Sequence, residues 1–454
     1  MKRHWLFPFL ALASLAAAAL ACNLGGPEAP PTLVPRLTDT PLPTIGYATL
    51  SPDELPQPAA TAPPADADLS NLLNRVESDR LFLHVDTLQR FQTRHVNSGD
   101  APSQGIMAAY RYIRSQFEAF QKESGGNFTV FDHPFRLNWA GVETTQYNII
   151  GIIQGKDVGG GVIVIGAHYD SISMNPDDGQ YYAPGANDNA SGVAGLIELA
   201  RILSVRPHRA TIMLVAFSAE EVGRRGSIEF VKYLQERQIP VNAMLNLDII
   251  GSQFGPNGEM NDRQIRAFSE GPNESPSRQL ARVLNLVSFQ YLPFMEVVVQ
   301  DMPDRQGRYG DHLSFSEAGY PAVRMIEMNE NKVLHHTPQD TIDTIQATYL
   351  TRATQTALAA AVVLADGPPP PRNISLRDTG RGTRSLVWEP SPGAASYVVV
   401  LRRPNSLIYD QQFPWTGNQV EWDGFVASQF TGLAVAAVDS RGLMGPPSAE
   451  YPIP

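Results

Sequence analysis

Short runs that are apolar at nearly every position, GVIVIGAH, TIMLVAF, AMLNLDII and PAVRMIEM, alternate along this chain with stretches whose apolar residues recur every three to four positions. A strand that is apolar on both faces must be covered on both, and helices are the usual cover. The helical spacing falls at residues 71–91, 104–124, 190–203, 227–237 and 276–287, with a long final helix from about 345 to 365. Two more strand-like runs, NFTVFDHPF and YNIIGIIQG, come before the first fully apolar one. The alternation predicts an α/β domain with a mostly parallel central sheet flanked by helices.

The ends of these strands carry the chemistry. In open α/β sheets, ligands gather at the carboxyl edge. There the chain places His168 and Asp170 in GAHYD, Asp188 in PGANDNASG, Glu220 and Glu221 in SAEEVG, Asp248 in NLDIIG, and a His335–His336 pair in HHTPQDT. Taken singly, most have plainer readings: a satisfied core histidine, an N-cap at Asp188, a solvated acidic pair at the two glutamates. Asp248 is harder to explain this way, because an unpaired charge inside an apolar strand is costly and a metal would account for it. Two imidazoles with a surplus of carboxylates form the ligand inventory of two divalent metals. Of the adjacent glutamates, one can bind metal while the other faces water as a general base. Asp170 is placed to hold the second ring nitrogen of His168. Spacing does not choose between His335 and His336. His4, His84, His95, His133, His208 and His312 have no comparable context.

Composition narrows the partners and the compartment. With 35 Lys and Arg against 46 Asp and Glu, the net charge is −11, and no basic run is long enough to track phosphates. Nucleic acid is therefore not an expected partner. Lys2 and Arg3 precede an apolar run over residues 5–20, and Ala19, Leu20 and Ala21 lead into Cys22, the single cysteine. This reads as an export signal over residues 1–21. It resembles a bacterial lipobox, with Ala19 where that pattern usually has Leu. The resemblance implies lipidation of Cys22, membrane anchoring and a cell-envelope location outside the cytoplasm. Residues 22–67, rich in Pro, Thr and Ala, read as an extended tether. Residues 68–366 hold the α/β pattern, and GPPPP opens a stretch over 367–454 that is all β in flavour. Trp388 followed by GAASYVVV resembles a fibronectin type III sandwich, with Trp388 and Tyr397 seeding a small core. A spacer or stabilising module is the reading favoured over a binding role.

Over about residues 80–365, the five strand-end motifs in this order resemble metallopeptidase family twenty-eight of clan MH. This co-catalytic zinc family includes bacterial leucyl aminopeptidase, aminopeptidase Y and glutamate carboxypeptidase II. The resemblance implies two Zn2+ bridged by Asp188, with His168 and Asp248 completing one site and Glu221 and His336 the other. His336 is chosen because the family's ligand directly precedes a Thr, here Thr337. Glu220 matches the general base and Asp170 the residue that orients His168. The peptide bond after Asp188 is expected to be cis. The block RYGDHLSFSEAGYPAV resembles the family's SDH segment with Gly310 in place of Ser, and Tyr309 is the candidate for stabilising the oxyanion. The implied activity is removal of N-terminal residues from peptides. The alternatives are a carboxypeptidase of glutamate-terminated peptides, a one-zinc glutaminyl cyclase, or a surface binding protein without catalysis.

Overall fold

Eight strands form one sheet, and the fully apolar runs lie at its middle. They are β1 (Phe128–Trp139), β2 (Val142–Ile153), β3 (Val162–His168), β4 (Thr211–Phe217), β5 (Val241–Leu247), β6 (Gln264–Phe268), β7 (Glu296–Gln300) and β8 (Ala322–Glu327), in the order β1-β2-β4-β3-β5-β8-β6-β7. The inner four, β4-β3-β5-β8, pair in parallel. The β1–β2 hairpin joins β4 antiparallel, and β6 joins β8 antiparallel. Every residue of β3 and β8 is buried, which is why these strands lack the in-out alternation of a half-exposed strand. The computed structural model describes residues 66–157, 159–301, 310–380 and 382–453. The export signal with Cys22, the tether up to residue 65, and Tyr309 lie outside the described residues.

The covering helices are α1 (Ala67–Leu73), α2 (Ser78–Gln89), α3 (Gly105–Glu123), α4 (Ser191–Leu203), α5 (Arg225–Glu236), α6 (Pro276–Tyr291), α7 (His312–Glu317) and α8 (Ala347–Asp366). The helical spacing over 71–91 resolves into two helices. Asp66 caps the first through the N–H groups of Asp68 and Leu69. The second starts where the buried Glu198 carboxylate accepts the Glu77 N–H at 2.8 Å. Strands β6 and β7 were not anticipated from the sequence. QIRAF and EVVVQ are five residues each, too short to set a period against their flanks.

The C-terminal strands form two antiparallel sheets. One is β13-β10-β9, from Gln419–Asp423, Thr383–Glu389 and Arg372–Gly380; the other is β12-β11-β14-β15, from Gln411–Trp415, Ser396–Arg402, Gly432–Val438 and Tyr451–Pro452. Trp388 and Tyr397 are both buried between them, with rings edge to face and centroids 5.2 Å apart. The four-stranded sheet has no bare outer face. Val399, Leu401 and Val435 pack toward the other sheet, while Val400, Ala434 and Ala436 belong to the main core. Helix α6 is the seam: Tyr291 Oη donates to Gly442 O at 2.9 Å, and Arg282 Nε to Leu407 O at 3.0 Å.

Candidate metal centre

Because the inner strands run parallel, their carboxyl ends open on one edge, and the loops beyond β3, β4 and β5 meet there. His168, the last residue of β3, points its Nε2 at two carboxylates, 3.3 Å from Asp188 Oδ1 and 3.5 Å from Asp248 Oδ1. His336 Nε2 lies 3.5 Å from the other oxygen of the same aspartate, Asp188 Oδ2, and 3.0 Å from Glu221 Oε2. Donors sharing a tetrahedral ion at about 2.0–2.2 Å stand roughly 3.3–3.6 Å apart, the spacing of the His168 set and of His336 from Asp188, while His336 and Glu221 stand closer, at 3.0 Å. Ligand atoms of His168, Asp188 and Glu221 all fall within 4.8 Å of one another. Among the described residues, the buried Glu221 Oε1 and His336 Nε2 find no hydrogen-bond partner.

The electrostatics ask for positive charge at the same two places. Burial works against a charged imidazole at His168, yet Asp170, Asp188 and Asp248 outweigh it and hold its pKa well above the ordinary range. Glu221, ahead of Asp188 and against burial, pushes His336 up to about 11. Burial would raise Asp188, but the two imidazoles hold it well below the usual carboxylate range. In the same way Arg324 and His168 overcome burial to bring Asp248 down to about 2. Glu220 behaves differently: burial, reinforced by Glu221 and Asp311, holds its carboxyl well above the ordinary value, with His168 opposing. All these groups except Asp170 and Asp311 line one cavity of about 190 Å3.

Asp170 does more than face an imidazole. Its Oδ1 lies 3.6 Å from His168 Nδ1, beyond hydrogen-bonding distance, while its two oxygens accept the N–H groups of Glu220 and Glu221 at 3.1 Å each. One carboxylate thereby places both glutamates after β4. Asp188 is not an N-cap, since α4 begins at Ser191, and the Asp188–Asn189 peptide is cis. Asn189 anchors the loop by donating to Leu247 O at 2.8 Å and accepting from Ile249 N at 3.1 Å. His336 has φ +60°, which turns it toward Glu221, whereas His335 Nδ1 stands 3.5 Å from Glu330. His84, His95, His133 and His208 contact Tyr112, Pro176, Asn148 and Asp366 instead. His312 is buried and held down to about 3 by burial and Arg324.

Two residues of the centre, Arg324 and Asp340, were not foreseen, and Gly310 stood out only for replacing a serine. Arg324, on β8, lies 3.0 Å from Asp248 Oδ2 and leaves Oδ1 directed at the His168 side. Its signal was available: an arginine inside AVRMIE is the same oddity that drew attention to Asp248. Gly310 lines the cavity, and a Cβ there would come 2.9 Å from Asp248 Oδ2 and 3.0 Å from Asn246 Nδ2, so a serine at this position would crowd both. Asp340 holds the Asp188 loop from below, and nothing in TPQDT distinguished it from an ordinary turn aspartate.

Comparison with known proteins gives the family. The family model described as Peptidase family M28 matches residues 148–361. A probable zinc metalloprotease of Pyrenophora tritici-repentis is 30% identical over 431 residues, covering 86% of this chain and 88% of the relative. A probable zinc metalloprotease of Pyricularia oryzae is also 30% identical, over 85% of each chain. Among solved structures, the LapA aminopeptidase of Legionella pneumophila superposes with a TM-score of 0.54 at 24% identity, covering 67% of this chain and 76% of that one. An aminopeptidase from Aneurinibacillus sp. strain AM-1 gives 0.52 at 17% identity, over 66% and 96%. With relatives of this identity matched over most of both lengths, the chain belongs to peptidase family M28 and is a metallopeptidase.

Proposed function

We propose that the protein is a dinuclear zinc aminopeptidase, exported and held at the membrane through a lipidated Cys22. The observation that carries the two-metal reading is Asp188, which presents one oxygen to the His168–Asp248 pair and the other to the His336–Glu221 pair. Zinc held by these two sets would supply Lewis acidity toward the scissile carbonyl and acidify water at neutral pH. The protein's own part in the proton transfers falls to Glu220. Its carboxylate takes the proton of the attacking water and returns it to the leaving amine, and its place on the cavity wall beside both ligand sets suits both exchanges. Arg324 keeps Asp248 in place, and Asp170 keeps the glutamate pair in place. The solved relatives of the same fold that are named aminopeptidases support the choice of an aminopeptidase.

The test is a substrate panel combined with metal counting. Plasma emission should find two zinc ions per chain, and aminoacyl anilides should be hydrolysed while N-acetylated and C-terminal glutamyl peptides are not. A chelator should abolish turnover and added zinc restore it. Equal hydrolysis of blocked peptides would defeat the aminopeptidase assignment. One zinc with cyclisation of N-terminal glutamine would replace it with the cyclase reading. For the anchor, mass spectrometry of protein extracted from membranes should show a diacylglyceryl group on Cys22, and an unmodified thiol there would remove the lipid from the proposal.

A further inference from the structure

We infer that Arg94 and Asp340 are a positioning pair that sets the shape of the Asp188 loop, an inference that rests on Asp188 being the bridging ligand. The loop segment 184–188 is gripped at one end by hydrogen-bond donors and at the other by acceptors. Arg94, fully buried, donates from Nε to Tyr169 O at 2.7 Å, from Nη2 to Gly185 O at 2.9 Å, and from Nη1 to Pro184 O. Its hydrogen bonds thus go to backbone carbonyls. Asp340, 2% exposed, does the reverse: Oδ1 accepts Asn187 N at 2.8 Å, Oδ2 accepts Asp188 N at 2.9 Å, and its own carbonyl accepts Ala186 N at 3.0 Å. Three successive N–H groups therefore end on one residue, and the two carbonyls before them on another.

The chain between these grips has little freedom. Gly185 sits at φ +52°, where a Cβ would come 2.4 Å from Asp188 O and 2.8 Å from Arg94 Nη2. Only glycine turns there without displacing the guanidinium. The two grips also reach the two ligand sets. Arg94 binds the carbonyl of Tyr169, next to His168, while Asp340 follows His336 by four residues in the same segment. Hydrogen bonds through charged groups in a dry interior are strong and directional. The pair therefore fixes where Asp188 stands relative to both histidines, the distance on which a bridging carboxylate depends.

Asp340→Asn keeps the shape of the side chain but can accept only one of the two N–H groups. The expected result is a loss of metal affinity of about 10- to 100-fold, measured by competition with a chromophoric chelator. The visible absorption of the cobalt-substituted protein should change, while the melting temperature of the metal-free protein stays within a few degrees of wild type. Wild-type affinity with an unchanged cobalt spectrum would overturn the inference, as would early melting with unchanged affinity. If Asp340→Asn does not fold, Arg94→Lys, which keeps the charge and loses the fork, is measured the same way, and failure of both to fold also overturns it. Should the wild-type protein bind a single ion, the two-metal reading falls, yet the comparison still decides the pair on that ion.

Discussion

Glu220→Gln is expected to lower kcat by about 10^2- to 10^4-fold, the usual range for loss of a general acid–base group, with the metal content of wild type and KM nearly unchanged. Glutamine has the size of glutamate but cannot take a proton from water. The frame around it does not depend on the carboxyl group, because the Glu220 backbone N–H is held by Asp170 Oδ1 at 3.1 Å. Nor is Glu220 among the atoms that converge between the two histidines, where the glutamate present is Glu221. Glu221→Gln should accordingly behave in the opposite way, losing metal from the His336 set, with activity falling because the centre is incomplete. Metal analysis and steady-state kinetics on the two variants separate the roles. If Glu220→Gln, with metal bound, turns over aminoacyl anilides within tenfold of wild type, the base lies elsewhere.

The two sides of this contrast differ in how far the sequence disclosed them. His168, Glu220, Glu221 and Asp248 were visible because each follows or interrupts a run of residues buried on both faces, where a polar group needs a reason. Asp188 was visible only in company, since a carboxylate before a helix is common. The choice of His336 over His335 rested on resemblance, and what separates them physically, a left-handed backbone and the Glu330 carboxylate beside His335, is tertiary. The supporting shell was hidden for the same reason. Arg94 lies in QTRHVNSG, between the helical stretches 71–91 and 104–124, and it is buried only because the segments around Tyr169 and Gly185 close over it. Strands β6 and β7 depend on pairing with each other and with β8, a register that no five-residue window contains.

The other large effect is expected at the far end of the chain, where a protein ending after Asp366 should not fold to a soluble domain. The four-stranded C-terminal sheet gives Val400, Ala434, Ala436 and Val438 to the main core, and the turn beyond it adds Leu443 and Met444. Removing them uncovers the α6 and α8 surfaces that include Leu280, Val283 and Leu364. At roughly 1.5–3 kcal/mol for each buried aliphatic side chain, even five such residues amount to about 10 kcal/mol, the whole stability of an ordinary domain. Polar losses add to this. Arg282, whose side chain is fully buried, would lose Leu407 O, and Tyr291 would lose Gly442 O and the Met444 N–H. The join to α8 is also closely fitted at the backbone, since a Cβ on Gly367 would come 2.4 Å from Met444 O and 2.7 Å from Val363 O. Expression of residues 66–366 beside 66–454, followed by calorimetry of the soluble fraction, makes the comparison. A cooperative melt within a few degrees of the longer protein would show that the sandwich is an appended spacer, despite the core it shares with the domain that carries the metal centre.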